Sequence, residues 1–188
     1  MARVAILLEE MFEDSEFRVP YERLRNAAHE PVIVGCEAGK RLTGKRGEES
    51  VMTGVEIGDV SPEDFDAVLI PGGRSPERLR TDPRMVRFIR AFFQGGGLVA
   101  AVCHGPLLLA AADVVRGRTL TSWPAVQDEL FEAGARWVDR EVVEDGNVIT
   151  SRNPGDLEAF SAAILRHLAR GAAAAPPART GDAPAPLH

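Results

Sequence analysis

The chain is 188 residues long, 45% hydrophobic and 27% charged, with few aromatics, which places it among compact soluble proteins of one domain. Its net charge of −6 and pI near 5.3 supply no basic field for a phosphate backbone, so nucleic acid is not an expected partner. No apolar run approaches the ~18 to 20 residues of a membrane span, and two cysteines, Cys36 and Cys103, favour free thiols over a structural bridge.

The first apolar run, Val4 to Leu8, follows a single basic residue and is followed at once by acids. That makes it a first strand rather than a signal peptide, and a cytoplasmic address is expected. Ser15 to Ala28 carries Phe17, Tyr21, Leu24 and Ala28 at helical spacing, interrupted by Pro20, which should kink the helix or delay its start. Pro31 to Val34 reads as the second strand. Arg41 to Ile57, turning at Thr43-Gly44-Lys45-Arg46-Gly47, reads as a β-hairpin excursion, and Ala67 to Ile70 as the next core strand. Asp82 can cap a helix with Pro83 at its first position, and Met85, Val86, Ile89, Phe92 and Phe93 form its apolar stripe.

Gly95-Gly96-Gly97 follow that helix and precede the strand Leu98 to Val102. A phosphate cradle has the opposite order, so these glycines are a helix stop. Pro124 to Ala133 reads as another helix. Glu141 to Thr150 is a hairpin turning at Asp145-Gly146-Asn147, whose second arm is the last strand, Val148 to Thr150. Asp156 to Ala169 closes the domain as a helix. Strands alternating with helices give an α/β domain over 1–170 with a mostly parallel, buried sheet. Residues 171–188 are Ala/Pro-rich with almost nothing to bury, and are expected to be a disordered tail.

In an open α/β sheet the ligand sits beyond the carboxyl ends of the strands, so the residues that follow each strand are the candidates for a site. They are Glu9 to Asp14, Pro71-Gly72-Gly73-Arg74, Cys103-His104 and Ser151-Arg152-Asn153-Pro154. Cys103 lies between a strand and a helix opened by Pro106, the arrangement of a nucleophile elbow, with small residues two before and two after it. At a helix start its thiol should ionise below the free value of ~8.5. The competing reading is a small buried apolar residue at a strand end.

His104 is the one histidine at this edge; His29, His167 and His188 lie elsewhere. Neighbouring side chains on a turn diverge, so His104 can serve as a base or contribute its N–H to an oxyanion hole. Gly72 and Gly73 permit a turn with N–H groups facing a ligand, or form an ordinary loop. Glu13 and Glu77 each read equally as acids at a helix start. Cys36 reads as a strand-end filler, and no metal-ligand spacing is present, so neither a metal nor a cofactor is expected.

Four blocks carry a resemblance: Phe12-Glu13-Asp14-Ser15-Glu16, Ile70-Pro71-Gly72-Gly73-Arg74-Ser75-Pro76-Glu77-Arg78-Leu79-Arg80, Ala101-Val102-Cys103-His104-Gly105-Pro106 and Glu141 to Asn147. Together they resemble the PfpI family of intracellular proteases and protein deglycases, in the superfamily of class I glutamine-amidotransferase-like domains. The likeness runs from about Arg3 to about Ala169. It implies a flavodoxin-like three-layer sandwich, a mostly parallel central sheet with helices on both faces. It implies Cys103 as nucleophile, Glu13 as the carboxyl group hydrogen-bonded to its sulfur, and His104 oriented by Glu77 from a neighbouring subunit. Gly73 and His104 N–H groups would hold an oxyanion, and Gly72, Arg74, Trp123 and Ser151 are the expected substrate contacts. A homo-oligomer, a dimer or a trimer of dimers, follows from the same likeness.

Two features depart from the family pattern. Trp123 stands where many relatives have a tyrosine, removing a phenol near the thiol, and the tail is longer than usual. Ser151-Arg152-Asn153 also stands where the amidotransferase branch has a histidine and a glutamate separated by one residue, which argues against glutamine hydrolysis. The leading expectation is a cysteine-dependent stress-defence enzyme acting on reactive carbonyls or glycation adducts, of the glyoxalase III or deglycase type that takes methylglyoxal to lactate. The alternatives are a cysteine peptidase using Cys103, His104 and Glu77, and a non-enzymatic redox sensor or holdase in which Cys103 oxidises.

Overall fold

The computed structural model describes residues 1–174. In chain order its elements are β1 (Arg3–Leu7), α1 (Asp14–Asn26), β2 (Glu30–Gly35), β3 (Arg41–Thr43), β4 (Ser50–Met52), β5 (Val55–Glu56), β6 (Ala67–Ile70) and α2 (Ser75–Leu79). There follow α3 (Pro83–Gln94), β7 (Leu98–Val102), α4 (Pro106–Ala111), β8 (Thr119–Leu120), α5 (Gln127–Glu132), β9 (Arg136–Trp137), β10 (Val142–Asp145), β11 (Val148–Ser151) and α6 (Leu157–Ala174).

Seven strands form the central sheet in the order β10-β11-β7-β6-β1-β2-β5, parallel except where β10 runs against β11. Alternate residues of each strand enter opposite cores, as the period of two requires. Ala5, Leu7, Val68, Ile70, Val99 and Ala101 face the layer of α3 and α4, while Val4, Ile6, Ala67, Leu69, Leu98 and Ala100 face that of α1 and α6. The expected three-layer sandwich is therefore present. β1 has β2 on one side and β6 on the other, so the chain reverses its direction of winding there. The crevice beyond the β1 and β6 carboxyl ends is the switch point where such sheets bind ligands.

Most local signals act as the sequence indicates. Asp82 caps α3 by accepting from the Arg84 N–H at 2.8 Å, Met85, Ile89 and Phe92 are buried, and Gly96 beyond the helix takes φ +82°. Both hairpins form, but the outer end of the first differs: Val55 and Glu56 leave it to pair with β2 at the edge of the main sheet. Pro20 neither ends nor delays α1, because only one intrahelical donor is lost and the helix starts at Asp14, ahead of Ser15.

Pro124 opens a 3-10 turn and α5 follows only from Gln127. The parallel pair β8 and β9, too short to leave a periodic signal, was not expected. The last helix continues past Ala169 through Gly171 to Ala174, so the start of the proposed tail is helical; the rest, 175–188, lies outside the described residues. No helix among the described residues is long and apolar enough to cross a membrane.

Candidate active site

Cys103 follows β7 with φ 61°, in the left-handed region that costs a non-glycine residue roughly 1–2 kcal/mol. Three hydrogen bonds hold it there. Its N–H donates to the Ser151 carbonyl at 3.1 Å, its carbonyl accepts the Trp123 N–H at 2.9 Å, and the Gly105 N–H closes the turn on Val102 O at 2.8 Å. Gly105 is required for packing, since a Cβ there would lie 2.5 Å from Ile70 O. The elbow read from the sequence is thus real, and its strain is overdetermined by neighbours on three elements.

The carboxyl group beside the sulfur is Glu16, one turn inside α1. Its side chain is fully buried, and Oε2 accepts the Gly72 N–H at 2.8 Å. A Cβ on Gly72 would sit 2.4 Å from Glu16 Oε2, 2.6 Å from Cys103 Cβ and 3.1 Å from Cys103 Sγ, so the glycine makes the room in which acid and thiol meet. The second oxygen, Oε1, is buried with no hydrogen-bond partner among the described residues.

The expectation that Glu13 touches the sulfur is overturned. Glu13 is the residue before α1 and turns toward the β3–β4 hairpin, where its oxygens meet Lys45 Nζ at 2.5 Å and Arg46 Nε at 3.6 Å. Three residues later the helix has rotated the side chain toward the sheet. A signal for Glu16 was present: Glu16, Pro20 and Leu24 form an i, i+4 stripe, and all three are buried. An acid on an apolar stripe asks for a reason.

The expectation of a low thiol pKa meets two opposing effects in the fold. Burial, then the charge of Glu16, pushes Cys103 up to about 12, although the N–H groups of Gly73 and His104 pull it down. Burial likewise pushes Glu16 up to about 8, against the pull of the Gly72 N–H. Glu16 therefore holds its proton near neutral pH, and with that proton in place the repulsion opposing a thiolate is gone. Acid and thiol titrate as one coupled unit.

His104 Nδ1 lies 3.2 Å from Cys103 Sγ, so the imidazole reaches the sulfur in spite of its adjacency in sequence. Burial, and to a lesser extent the charge of Lys45, lowers its pKa and favours the neutral ring, while the charge of Glu77 opposes them. Gly73 takes φ +77°, and a Cβ there would fall 2.4 Å from Met11 O; an isolated bridge between Phe12 and Gly73 ties the two strand ends together.

Lys45, Arg46, Gly73, Arg74, Glu77 and His104 line one open cavity of about 490 Å³ at this edge. Glu77 of the same chain shares this lining with His104, and its charge is felt at the imidazole, but no hydrogen bond joins the two among the described residues. Trp123 is 40% exposed and touches the elbow through its backbone. Gly72 is buried behind the acid and thiol, with its N–H spent on Glu16. Ser151 is fully buried and donates its hydroxyl to the Glu141 carbonyl at 2.6 Å, so it supports the elbow and cannot contact substrate with that group. Cys36 is half-buried, its thiol pushed up to about 12 by burial and by the charge of Glu9. No cluster of three or more His, Cys, Asp or Glu that could hold a metal occurs among the described residues.

Comparison with known proteins agrees with this geometry. The family model described as DJ-1/PfpI family matches residues 2–167. Protein/nucleic acid deglycase 2 of Escherichia coli is 47% identical over 88% of this chain and 97% of its own length. Deglycase PfpI of Pyrococcus furiosus is 42% identical over 88% of this chain and 99% of its own. Among solved structures, a two-domain protein from Anabaena variabilis with DJ-1/ThiJ/PfpI-like and ferritin-like domains superposes with a TM-score of 0.89 at 40% identity; the match covers 97% of this chain and 52% of that one.

Proposed function

Because the chain belongs to the DJ-1/PfpI family, we propose that it is a cysteine-dependent deglycase that removes early carbonyl adducts and converts the dicarbonyl, held on its sulfur, to a hydroxy acid. The observation that carries the reading is the buried contact of Glu16 with Cys103 on a strained elbow, with His104 Nδ1 at 3.2 Å from the sulfur. This arrangement can supply a proton, a nucleophile and a base at one carbon.

For a methylglyoxal adduct on an amine, the Cys103 thiol gives its proton to His104 as the sulfur attacks the carbinol carbon, the C–N bond breaks, and the amine leaves with the Glu16 proton. The Glu16 carboxylate then takes the proton from that carbon and returns it to the adjacent one, while His104 passes a proton to the second carbon's oxygen and takes one from the first's. The first carbon is thereby oxidised and the second reduced, with no outside redox partner. Water hydrolyses the resulting thioester to lactate. The N–H groups of Gly73 and His104, which hydrogen-bond the sulfur, are the proposed donors to an oxyanion formed beside it.

Lactate release from methylglyoxal and from its N-acetyllysine adduct tests the reading. Wild type should turn over both, Cys103→Ser neither, and Glu16→Gln should lose about 100-fold or more in kcat. Full turnover by Glu16→Gln would sink the mechanism.

The peptidase reading has one observation in its favour, the 3.2 Å contact of Cys103 Sγ with His104 Nδ1, beside a cavity that Glu77 also lines. Peptide hydrolysis that survives Glu16→Gln and disappears in His104→Ala would select it. An intracellular address and a homo-oligomer belong to the same proposal. Sedimentation velocity tests the assembly: a monomer at micromolar concentration would remove it.

A further inference from the structure

The cavity that His104 lines, next in the chain to Cys103, also carries three cations, Lys45, Arg46 and Arg74, and the carboxylate of Glu77, while Glu13 pairs with Lys45 and Arg46 from outside the lining. Lys45 and Arg46 share Glu13, yet their side chains remain 41% and 59% exposed while that of Glu13 is 3% exposed. The positive ends therefore face the cavity and the negative one lies beneath them. Arg74 is exposed and makes no ion pair or side-chain hydrogen bond among the described residues. The charge of Lys45 also acts on both Cys103 and Glu16, which sets this cluster next to the reacting sulfur.

The turn bearing two of these cations is built to stay in place. Asp14 accepts N–H groups from Arg46 at 2.9 Å, Glu48 at 3.0 Å and Glu49 at 2.8 Å. Gly44 passes so close that a Cβ would lie 2.1 Å from Asp14 Oδ1. A buried carboxylate clamping three backbone donors of a surface turn fixes where Lys45 and Arg46 point.

We propose that Arg74, with Lys45 and Arg46, forms an anion subsite at the mouth of the cavity, which selects carbonyl adducts whose carrier bears a carboxylate or phosphate near the modified atom. The subsite rests on geometry and charge alone; its use for adducts rests on the deglycase reading. An anion held there sits beside His104, whose ring meets the sulfur, and Glu16 does not line the cavity.

Alkylation of Cys103 by iodoacetate and by iodoacetamide, followed by peptide mass spectrometry, tests the subsite independently of turnover. The two reagents form the same S–C bond and release iodide, and differ in one negative charge. Arg74→Gln should lower the iodoacetate-to-iodoacetamide rate ratio about fivefold, an effect lost in high salt. Arg87→Gln, an exposed arginine on α3, removes the same net charge and should keep the wild-type ratio. An unchanged ratio in Arg74→Gln, or an equal fall in Arg87→Gln, would overturn the subsite.

Methylglyoxal adducts on N-acetylcysteine and its amide, and on phosphopantetheine and pantetheine, then assign the anion. A lower KM for the charged member of the first pair selects carboxylate, and of the second phosphate. Equal KM values in both pairs would overturn the selectivity. The expected alkylation ratios without turnover of any adduct would remove the deglycase reading and leave the subsite standing.

Discussion

The backbone N–H of Gly72 donates to Glu16 Oε2 at 2.8 Å, and this bond holds the acid against the thiol of Cys103. The glycine serves through what it lacks, since any side chain at 72 would occupy the space where the other two meet.

Gly72→Ala should therefore fold less stably and lose activity. Overpacking a filled interior costs about 1–3 kcal/mol, and here the new methyl group must move either the acid or the sulfur. Urea denaturation and lactate release measure the two effects. Wild-type turnover in this variant would mean that the acid and thiol need not touch.

Glu16 imprints a pH dependence on stability. Its pKa is raised from 4.5 to about 8 by burial, so its contribution is fully present below about pH 4.5 and is lost as pH rises through about 8. Glu16→Gln, which keeps shape and cannot ionise, should flatten this fall in stability, on the order of 5 kcal/mol between the two limits. Denaturation curves at intervals from pH 5 to 9 would show it; parallel profiles for variant and wild type would contradict it.

The elbow strain can be read by two substitutions. Cys103→Ala keeps the penalty of φ 61°, whereas Cys103→Gly removes it. Although glycine buries less surface, Cys103→Gly should be the more stable of the two by about 1 kcal/mol. A higher melting temperature for the alanine variant would show that the turn stores no such strain.

Asp14 should govern the β3–β4 turn. Burial raises its pKa, but the N–H groups of Arg46, Glu49 and Glu48 outweigh burial and leave it below the usual 3.8. Its contribution is present above that value and is lost as pH falls through the lower folded-state pKa. Asp14→Asn should cost about 1–3 kcal/mol and speed amide exchange of residues 44–49, because the amide group turns donors toward donors. Unchanged exchange in that segment would show that the clamp is dispensable.

The order of the central core strands and of the long helices, the elbow at Cys103, the cap at Asp82, the glycine stop after α3 and the turn at Gly146 were all legible in the sequence. Each is a local matter: an apolar period, a capping side chain or a backbone angle is written within a few residues. The four motif blocks likewise pointed to the family without any coordinates.

What the tertiary structure decided was which of two nearby acids meets the thiol, and how each group ionises. Glu13 and Glu16 are three residues apart, and the rotation of α1 against the sheet sends one to Lys45 and the other to Cys103. The N–H groups of Gly73 and His104 lower the thiol's pKa, but the surrounding burial, and then the Glu16 charge once that acid ionises, act more strongly the other way. Burial sums contributions from strands and helices far apart in the chain. Such a sum exists only after the chain has closed on itself, and so the proton inventory of this site is a property of the fold.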